Sequence, residues 1–310
     1  MSFRNFQQLF DSVKDCPPRR AAIIWGDEDH TMAAAAEARR TGGVEPVFIG
    51  PPEAMKARWA SLGFPGPPAV FPAATPEEAV TAAIGLVHAG EAQLIVKGLA
   101  ETALVMRQLV RKENGLCQRE VLSHLTLMEL PSYHKLLGLT DCALLTYPTL
   151  EQKKAAIQNA LDFYRGVGQQ EVKTAVLAAV ERVNPKMPEA VDAALLKGAW
   201  QKGEFPGAVV EGPISYDLAV VRGAAKIKGY QSPVAGDADL LVVPNITAGN
   251  LLVKALSYSA GGTTAAVVLG AKVPIVIPSR SSPVRSKAAA IKLAAAMTAR
   301  EGGGRSWTDR

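Results

Sequence analysis

Short apolar runs and helical stretches alternate along this chain with only a few turn residues between them, and that pattern constrains its fold more than any other feature. Arg20–Trp25 reads as a strand, Thr31–Arg40 as an alanine-rich helix closed by Gly42-Gly43, and Pro46–Ile49 as the next strand. Two strands joined through a helix run parallel with a right-handed crossover, and parallel sheets are covered on both faces. An α/β fold follows.

The same alternation continues. Phe3–Lys14 has helical spacing and is stopped by Pro17-Pro18. Pro76–Ala89 and Thr102–Lys112 read as helices around a strand at Leu94–Val96, and Val121–Leu127 alternates apolar and polar residues. Cys142–Leu145 reads as a strand, Glu151–Arg165 as a helix, Val172–Val180 as a mixture, Pro188–Lys202 as a helix and Gly207–Val210 as a strand. Within Gly236–Arg280 three strands are expected, at Leu240–Val243, Ala265–Leu269 and Pro274–Ile277, with a helix from Asn250 to Ala260 that begins after Gly249. Arg285–Ala299 reads as a last helix, and the tail from Glu301 as frayed. A chain of 310 residues with 48% hydrophobic content can bury one or two sizeable cores. Two α/β lobes are expected, residues 1–146 and 147–282, with the boundary near Tyr147.

Lys and Arg are scattered and the formal charge is only +5, which favours anionic small molecules and argues against nucleic acid. Cys16, Cys117 and Cys142 are odd in number and far apart, fitting neither a disulfide framework nor a zinc site, and a reducing cytoplasm is expected. No apolar run approaches the roughly 20 residues of a membrane span, and MSFRNFQQLFDSVKD has no signal core, so a soluble protein with no membrane partner is expected. Phosphate-loop, dinucleotide, zincin, CxxC and nucleophile-elbow motifs are all missing. Ser132-Tyr-His-Lys135 matches S-x-x-K without its companion motifs.

Ligands of open α/β sheets collect beyond the carboxyl ends of strands, and two such ends carry polar turns, Pro244-Asn245 and Ser279-Arg280. Each has a plainer alternative. Ser279-Arg280 can be a helix cap beside a solvated charge, and Asn245, Asn250 and Thr102 can be caps. Thr247-Ala-Gly249 can be a tight turn that admits a ligand or a purely structural one, and Lys254 a surface charge. Asp217 suits a helix N-terminus, Asp237 and Asp239 suit turns and caps, and His30 and His88 have no partners in sequence.

Four segments together resemble one family. They are VKGLAETALVMRQLV (Val96–Val110), SHLTLMELPSYHKLLGLTDCALLTYPTLEQK (Ser123–Lys153), EGPISYDLAV (Glu211–Val220) and the stretch from Ala235 to Arg280. In order and spacing they resemble the phosphate acetyltransferase and phosphate butyryltransferase family, with D-x-L-x-V-P-N-x-x-A-G-N-x-x-x-K at Asp239–Lys254 as the most specific signature. The first 90 residues match only by their α/β pattern. The resemblance implies reversible transfer of a short acyl group, acetyl or butyryl, between coenzyme A and inorganic phosphate in a ternary complex. It further implies no metal, no tightly bound cofactor and no covalent enzyme intermediate, with coenzyme A as co-substrate. The implied fold is two mainly parallel α/β lobes of the isocitrate/isopropylmalate dehydrogenase type with an interlobe cleft, as a homodimer. A C-terminal helix, residues 283–310 here, would rejoin the first lobe, and the PNxxAGN and Ser-Arg segments would lie in the second.

Such chemistry needs a cationic clamp for phosphate, a donor for the developing oxyanion and a way to position or deprotonate the thiol. Arginine suits the clamp through its bidentate fork, and the resemblance assigns phosphate and coenzyme A binding to Arg280 and Arg107. Ser279 would donate to the carbonyl oxygen; a serine nucleophile is the competing idea, with no base beside it in sequence. Thr102, Asn245, Gly249, Asn250 and Lys254 are the further substrate-binding candidates. Acetyl-specific members carry an aspartate about two helical turns beyond the Ser-Arg pair, whereas Ser281-Ser-Pro-Val-Arg-Ser286 has no carboxylate. That departure points to the butyryl-like branch or another acyl specificity, with Arg280 or Arg285 raising the thiolate fraction. Two other classes stay open, a non-catalytic homologue that binds coenzyme A or acyl phosphate, and a decarboxylating dehydrogenase of similar architecture, which the missing Asp cluster disfavours.

Overall fold

The structure, a computed structural model, describes residues 2–299; the expected frayed tail from Glu301 lies outside them. In chain order the elements are α1 (Phe6–Asp11), β1 (Arg19–Ile24), α2 (Asp29–Arg40), β2 (Val44–Gly50), α3 (Pro52–Ser61), β3 (Ala69–Pro72), α4 (Pro76–His88), β4 (Leu94–Lys97) and α5 (Thr102–Leu109). There follow β5 (Ser123–Glu129), β6 (Leu137–Thr140), α6 (Leu150–Gly166), β7 (Val172–Leu177), α7 (Pro188–Gln201), β8 (Ala208–Ile214), α8 (Tyr216–Val220) and α9 (Arg222–Ile227). The remainder are β9 (Leu240–Val242), α10 (Ile246–Lys254), β10 (Thr263–Leu269), β11 (Ile275–Val276) and α11 (Val284–Thr298).

The chain forms two compact units. Among the described residues the first comprises Gln7–Leu122 and residues 265–299; the second comprises Ser123–Thr264 and residues 2–6. In the first unit the strands lie in the order β3-β2-β1-β4-β11-β10, all parallel except the β11–β10 pair. In the second the order is β5-β6-β9-β7-β8, parallel except for β5–β6. The apolar runs explain this arrangement. Ala21–Ile24 of β1 are completely buried, as a strand covered on both faces must be.

These units differ from the division expected at Tyr147. Leu137–Thr140 pairs in parallel with Leu240–Val242, which draws β5 and β6 into the second unit. β11 pairs with β4, which draws Ser279-Arg280 into the first unit rather than the second. α11 packs on α2 and β1 of that first unit.

Most helices follow the expected periods, with capping that explains their starts. Thr149 and Gln152 form a reciprocal capping box at α6, and Thr75 caps α4 ahead of Pro76. Two expectations fail locally. Cys142–Leu145 is not a strand: β6 ends at Thr140, and the Asp141 carboxylate accepts from the Ala143 and Leu144 amides at 2.9 and 2.7 Å, closing a turn. The helix expected after Gly249 starts earlier, at Ile246, because the Asn245 side chain caps it by accepting from the Ala248 amide at 3.0 Å. α10 then passes into a π-helical turn, Ala255–Ser259.

Candidate active site

Parallel pairing brings the carboxyl ends of β1, β4 and β11 side by side in the first unit, with Ile24 opposite Lys97 and Val276 opposite Val96. The chain leaves β1 through Trp25, the one non-glycine residue in the left-handed region among the described residues, at φ 50°. Such a backbone costs of order 1–3 kcal/mol and persists only where its surroundings fix it. Here the Trp25 amide donates to the Ile49 carbonyl at 2.9 Å, and its own carbonyl accepts from the Leu99 amide at 2.8 Å. A Cβ at residue 98 would lie 2.4 Å from the Trp25 oxygen, so Gly98 is required for this approach.

Beyond Trp25 the acidic turn divides its charges. Asp27 and Asp29 pair outward with Arg58 at 2.6 and 2.8 Å, while Glu28 accepts from Lys287 of α11 at 2.9 Å and from the Thr31 hydroxyl. Burial alone would raise the Glu28 carboxyl; hydrogen bonds from Thr31 and Lys287 and the charge on Lys287 hold it below the usual carboxylate range. Lys97, 4% exposed at the end of β4, donates to the Gly98 and Ala100 carbonyls at 2.8 and 3.1 Å. Burial pushes its ammonium below the ordinary lysine value, and the positive charges of Arg280 and Lys287 push it further, against Glu28.

Ser279 and Arg280 follow β11 and are both exposed, with the Ser279 hydroxyl 3.1 Å from that of Ser281. They do not cap a helix: α11 begins after Pro283. Arg285 is exposed in its first turn. Thr102 is the first residue of α5 rather than its cap, a position held by Glu101. Arg107, exposed in the last turn of α5, lines a pocket with Trp25, Leu99, Glu101 and Leu104. The structure therefore gathers Ser279, Arg280, Arg285, Thr102 and Arg107 in the first unit.

Asn245, Gly249 and Asn250 belong to the second unit, at the carboxyl ends of β6 and β9, and Lys254 closes α10 in the same unit. The turn expected at Thr247-Ala-Gly249 is helix instead, and the close approach of Gly249 is to the protein itself. A Cβ there would lie 2.7 Å from Val243 Cγ2 and 3.0 Å from the Cys142 Cα. Asn250 Nδ2 donates to the Cys142 carbonyl at 3.4 Å, and Lys254 is exposed. Beneath them the Asp141 Oδ2 accepts from the His124 amide at 2.6 Å; burial lowers the His124 imidazole, opposed by the Asp141 charge. Burial also pushes the Cys142 thiol well above its ordinary range, leaving an unreactive protonated thiol.

At the opposite edge of this sheet Asp237 and Asp239 hold basic groups. Lys135 lies 2.7 Å from Asp239, and Asp237 accepts from Lys173 at 2.5 Å and from His134 at 2.8 Å. The S-x-x-K match thus belongs to a structural network. Among the described residues no three His, Cys, Asp or Glu side chains come together to ligate a metal ion.

Glu28, Lys97 and Lys287 stand at this edge of the first unit, and sequence reading did not single them out. Lys97 stands inside a segment that carries the family resemblance, Glu28 in a polar turn after a strand, and Lys287 in an alanine-rich helix.

The family model described as "Phosphate acetyl/butaryl transferase" matches residues 73–296. A phosphate acetyltransferase of Rhizobium meliloti is 35% identical over 296 residues, covering 95% of this chain and 94% of that protein. A phosphate butyryltransferase of Clostridium acetobutylicum is 31% identical over 293 residues, covering 94% and 97%. Among solved structures, a branched-chain phosphotransacylase from Enterococcus faecalis V583 superposes with a TM-score of 0.81 at 28% identity, covering 90% of this chain and 98% of that one. With matched segments running from β4 through α11 and a sheet edge bearing Ser279-Arg280, the chain belongs to the phosphate acetyl/butyryl transferase family of acyltransferases.

Proposed function

We propose that this protein transfers a short acyl group reversibly between coenzyme A and inorganic phosphate, through a ternary complex and without a covalent enzyme intermediate. The observation that carries this function is the Ser-Arg pair at the end of β11, in a family member, beside β4, whose end holds the buried Lys97. A phosphate oxygen forms the new C–O bond while the C–S bond of the thioester breaks. The electron pair leaves on sulfur, and the proton of hydrogen phosphate passes to it, so acyl phosphate and free thiol balance the reactants. Arg280 offers a planar fork to the phosphate oxygens, and the Ser279 hydroxyl donates to the carbonyl oxygen as it becomes tetrahedral. No carboxylate stands in 281–286, so the thiol is served by local positive charge from Arg280 and Arg285.

Arg107 and Thr102 are assigned to coenzyme A and phosphate recognition, supported by the pocket that Arg107 shares with Trp25 and Leu104. In the second unit, exposed Lys254 and the Asn245 amide nitrogen are kept for substrate, whereas Gly249 and Asn250 support α10. The dehydrogenase-like two-lobe description is supported by the division of the chain into two α/β units. A cytoplasmic homodimer with no tightly bound cofactor completes the assignment, the cytoplasm supported by three free cysteines. No helix among the described residues is long and apolar enough to cross a membrane.

The test is phosphorus NMR of the wild-type protein with inorganic phosphate and acetyl-, propionyl- or butyryl-coenzyme A. An acyl phosphate resonance should grow with at least one acyl group; its absence with all three would refute the activity.

A further inference from the structure

Two lysines at the first unit's sheet edge are buried with donors to spare. Lys97 and Lys287 are each 4% exposed, yet an ammonium carries three N–H donors. Lys97 spends two on the Gly98 and Ala100 carbonyls, and Lys287 spends one on Glu28 Oε1. Among the described hydrogen bonds one donor of Lys97 and two of Lys287 are uncommitted, where unpaired buried donors are costly.

Charge points the same way. Parallel pairing of β4 with β1 and β11 sets Lys97 beside the segments that carry Glu28 and Arg280, and the positive charges of Arg280 and Lys287 act on it against the one carboxylate of Glu28, so positive charge is in surplus there. They are brought together by independent elements: Lys97 by β4, Arg280 by the segment after β11, Lys287 by α11 and Glu28 by the turn after β1. Glu28 is itself oriented, since both of its described bonds, from Thr31 and Lys287, fall on Oε1. A small dianion with several acceptor oxygens would satisfy both the spare donors and the surplus charge.

We propose that Lys97 and Lys287 form, with Arg280, a cradle for the phosphate or transferring phosphoryl group, and that Glu28 is a positioning residue that aims Lys287 into it. The proposal rests on the phosphate acyltransferase function and assigns the phosphate end of that reaction to these lysines rather than the coenzyme A end. Arg280 is the outer, exposed member and the lysines form the floor. Because the Lys97 ammonium is held below the ordinary lysine value, phosphate binding should weaken at a less alkaline pH than a solvated lysine would allow.

The experiment compares wild type with Lys97→Met, Lys287→Met and Lys287→Arg by steady-state kinetics, varying inorganic phosphate and acyl-coenzyme A separately. Each methionine variant should raise the KM for phosphate by about 10- to 100-fold, the worth of a lost hydrogen bond to a charged group. The KM for acyl-coenzyme A should stay within about 2- to 3-fold, and Lys287→Arg should recover most of the loss. If Lys287→Met fails to fold because Glu28 is left unpaired, the double variant Glu28→Gln/Lys287→Met carries the test with the same expected loss. An unchanged phosphate KM, or a loss confined to the KM for acyl-coenzyme A, overturns the cradle while leaving the acyltransferase function standing. If the wild type turns over no acyl group, calorimetric titration with inorganic phosphate decides separately. Binding by wild type that Lys97→Met abolishes supports the cradle, and no binding by wild type overturns it.

Discussion

Each unit ends its parallel strands in a polar edge, yet the two edges are used differently. At the edge of the second unit nearly every polar group described is spent on the protein. Asp141 accepts from the amides of His124, Ala143 and Leu144, Asn245 caps α10, Asn250 reaches the Cys142 carbonyl, and Gly249 is packed against backbone. At the edge of the first unit Lys97 and Lys287 are equally buried but keep donors in hand, Arg280 is exposed, and Trp25 holds a left-handed backbone. The same sheet position thus serves as a support in one unit and as a place for an anion in the other. The sequence signature of the family is densest in the support.

Variants sharpen that contrast, since changes at the first edge should cost turnover and changes at the second should cost stability. Ser279→Ala should lower kcat by roughly 100- to 1000-fold with unchanged melting, the usual cost of one oxyanion donor; a loss under threefold would remove Ser279 from the chemistry. Asp141→Ala strips acceptors from three backbone amides and should destabilise by about 1–3 kcal/mol in denaturant unfolding. Gly249→Ala forces a methyl against Val243 and the Cys142 backbone, with an expected loss of about 1–3 kcal/mol by the same measurement. Asn245→Ala removes the α10 cap and should cost about 1 kcal/mol, with any kinetic change falling on the KM for acyl-coenzyme A while the phosphate KM stays within about twofold. A large rise in that KM with no change in stability would blur the contrast.

The last effect is confined to acid pH. Burial opposes ionisation of Asp237, but hydrogen bonds from Lys173 and His134 and the charge on Lys135 hold its folded carboxyl well below the usual range. A depressed carboxyl contributes stability that is present above its unfolded value of ~3.9 and lost as pH falls toward the folded one. Acid titration of Asp237→Asn should therefore show a shallower loss of stability below that value than wild type, while the two converge at the lowest pH.

Much of this fold was legible because periodicity and punctuation agree. Thr75-Pro76 and Thr149 announce α4 and α6, and the apolar runs of β1, β4 and β9 fall within a residue or two of their observed limits. What failed depended on contacts distant in sequence. The edge strand β3 has little buried apolar content, and Met55 and Trp59 alone mark the core face of α3. Cys142–Leu145 looks like a strand until the Asp141 carboxylate bends it into a turn. Gly249 looks like a helix boundary because nothing local shows that its missing side chain is needed against Cys142. Within the site, Ser279 and Arg280 were readable from their motif, but Glu28 and Lys287 stand 259 positions apart, and only packing of α11 brings them together.

The most direct test of the account is release of free thiol from acetyl-, propionyl- and butyryl-coenzyme A, with and without phosphate, by wild type and by Arg280→Ala. Phosphate-dependent release by wild type that Arg280→Ala reduces by about 100-fold or more, with folding intact, is the predicted result. Release that needs no phosphate, or that survives the substitution unchanged, would contradict the assignment of the first unit's edge to phosphate chemistry.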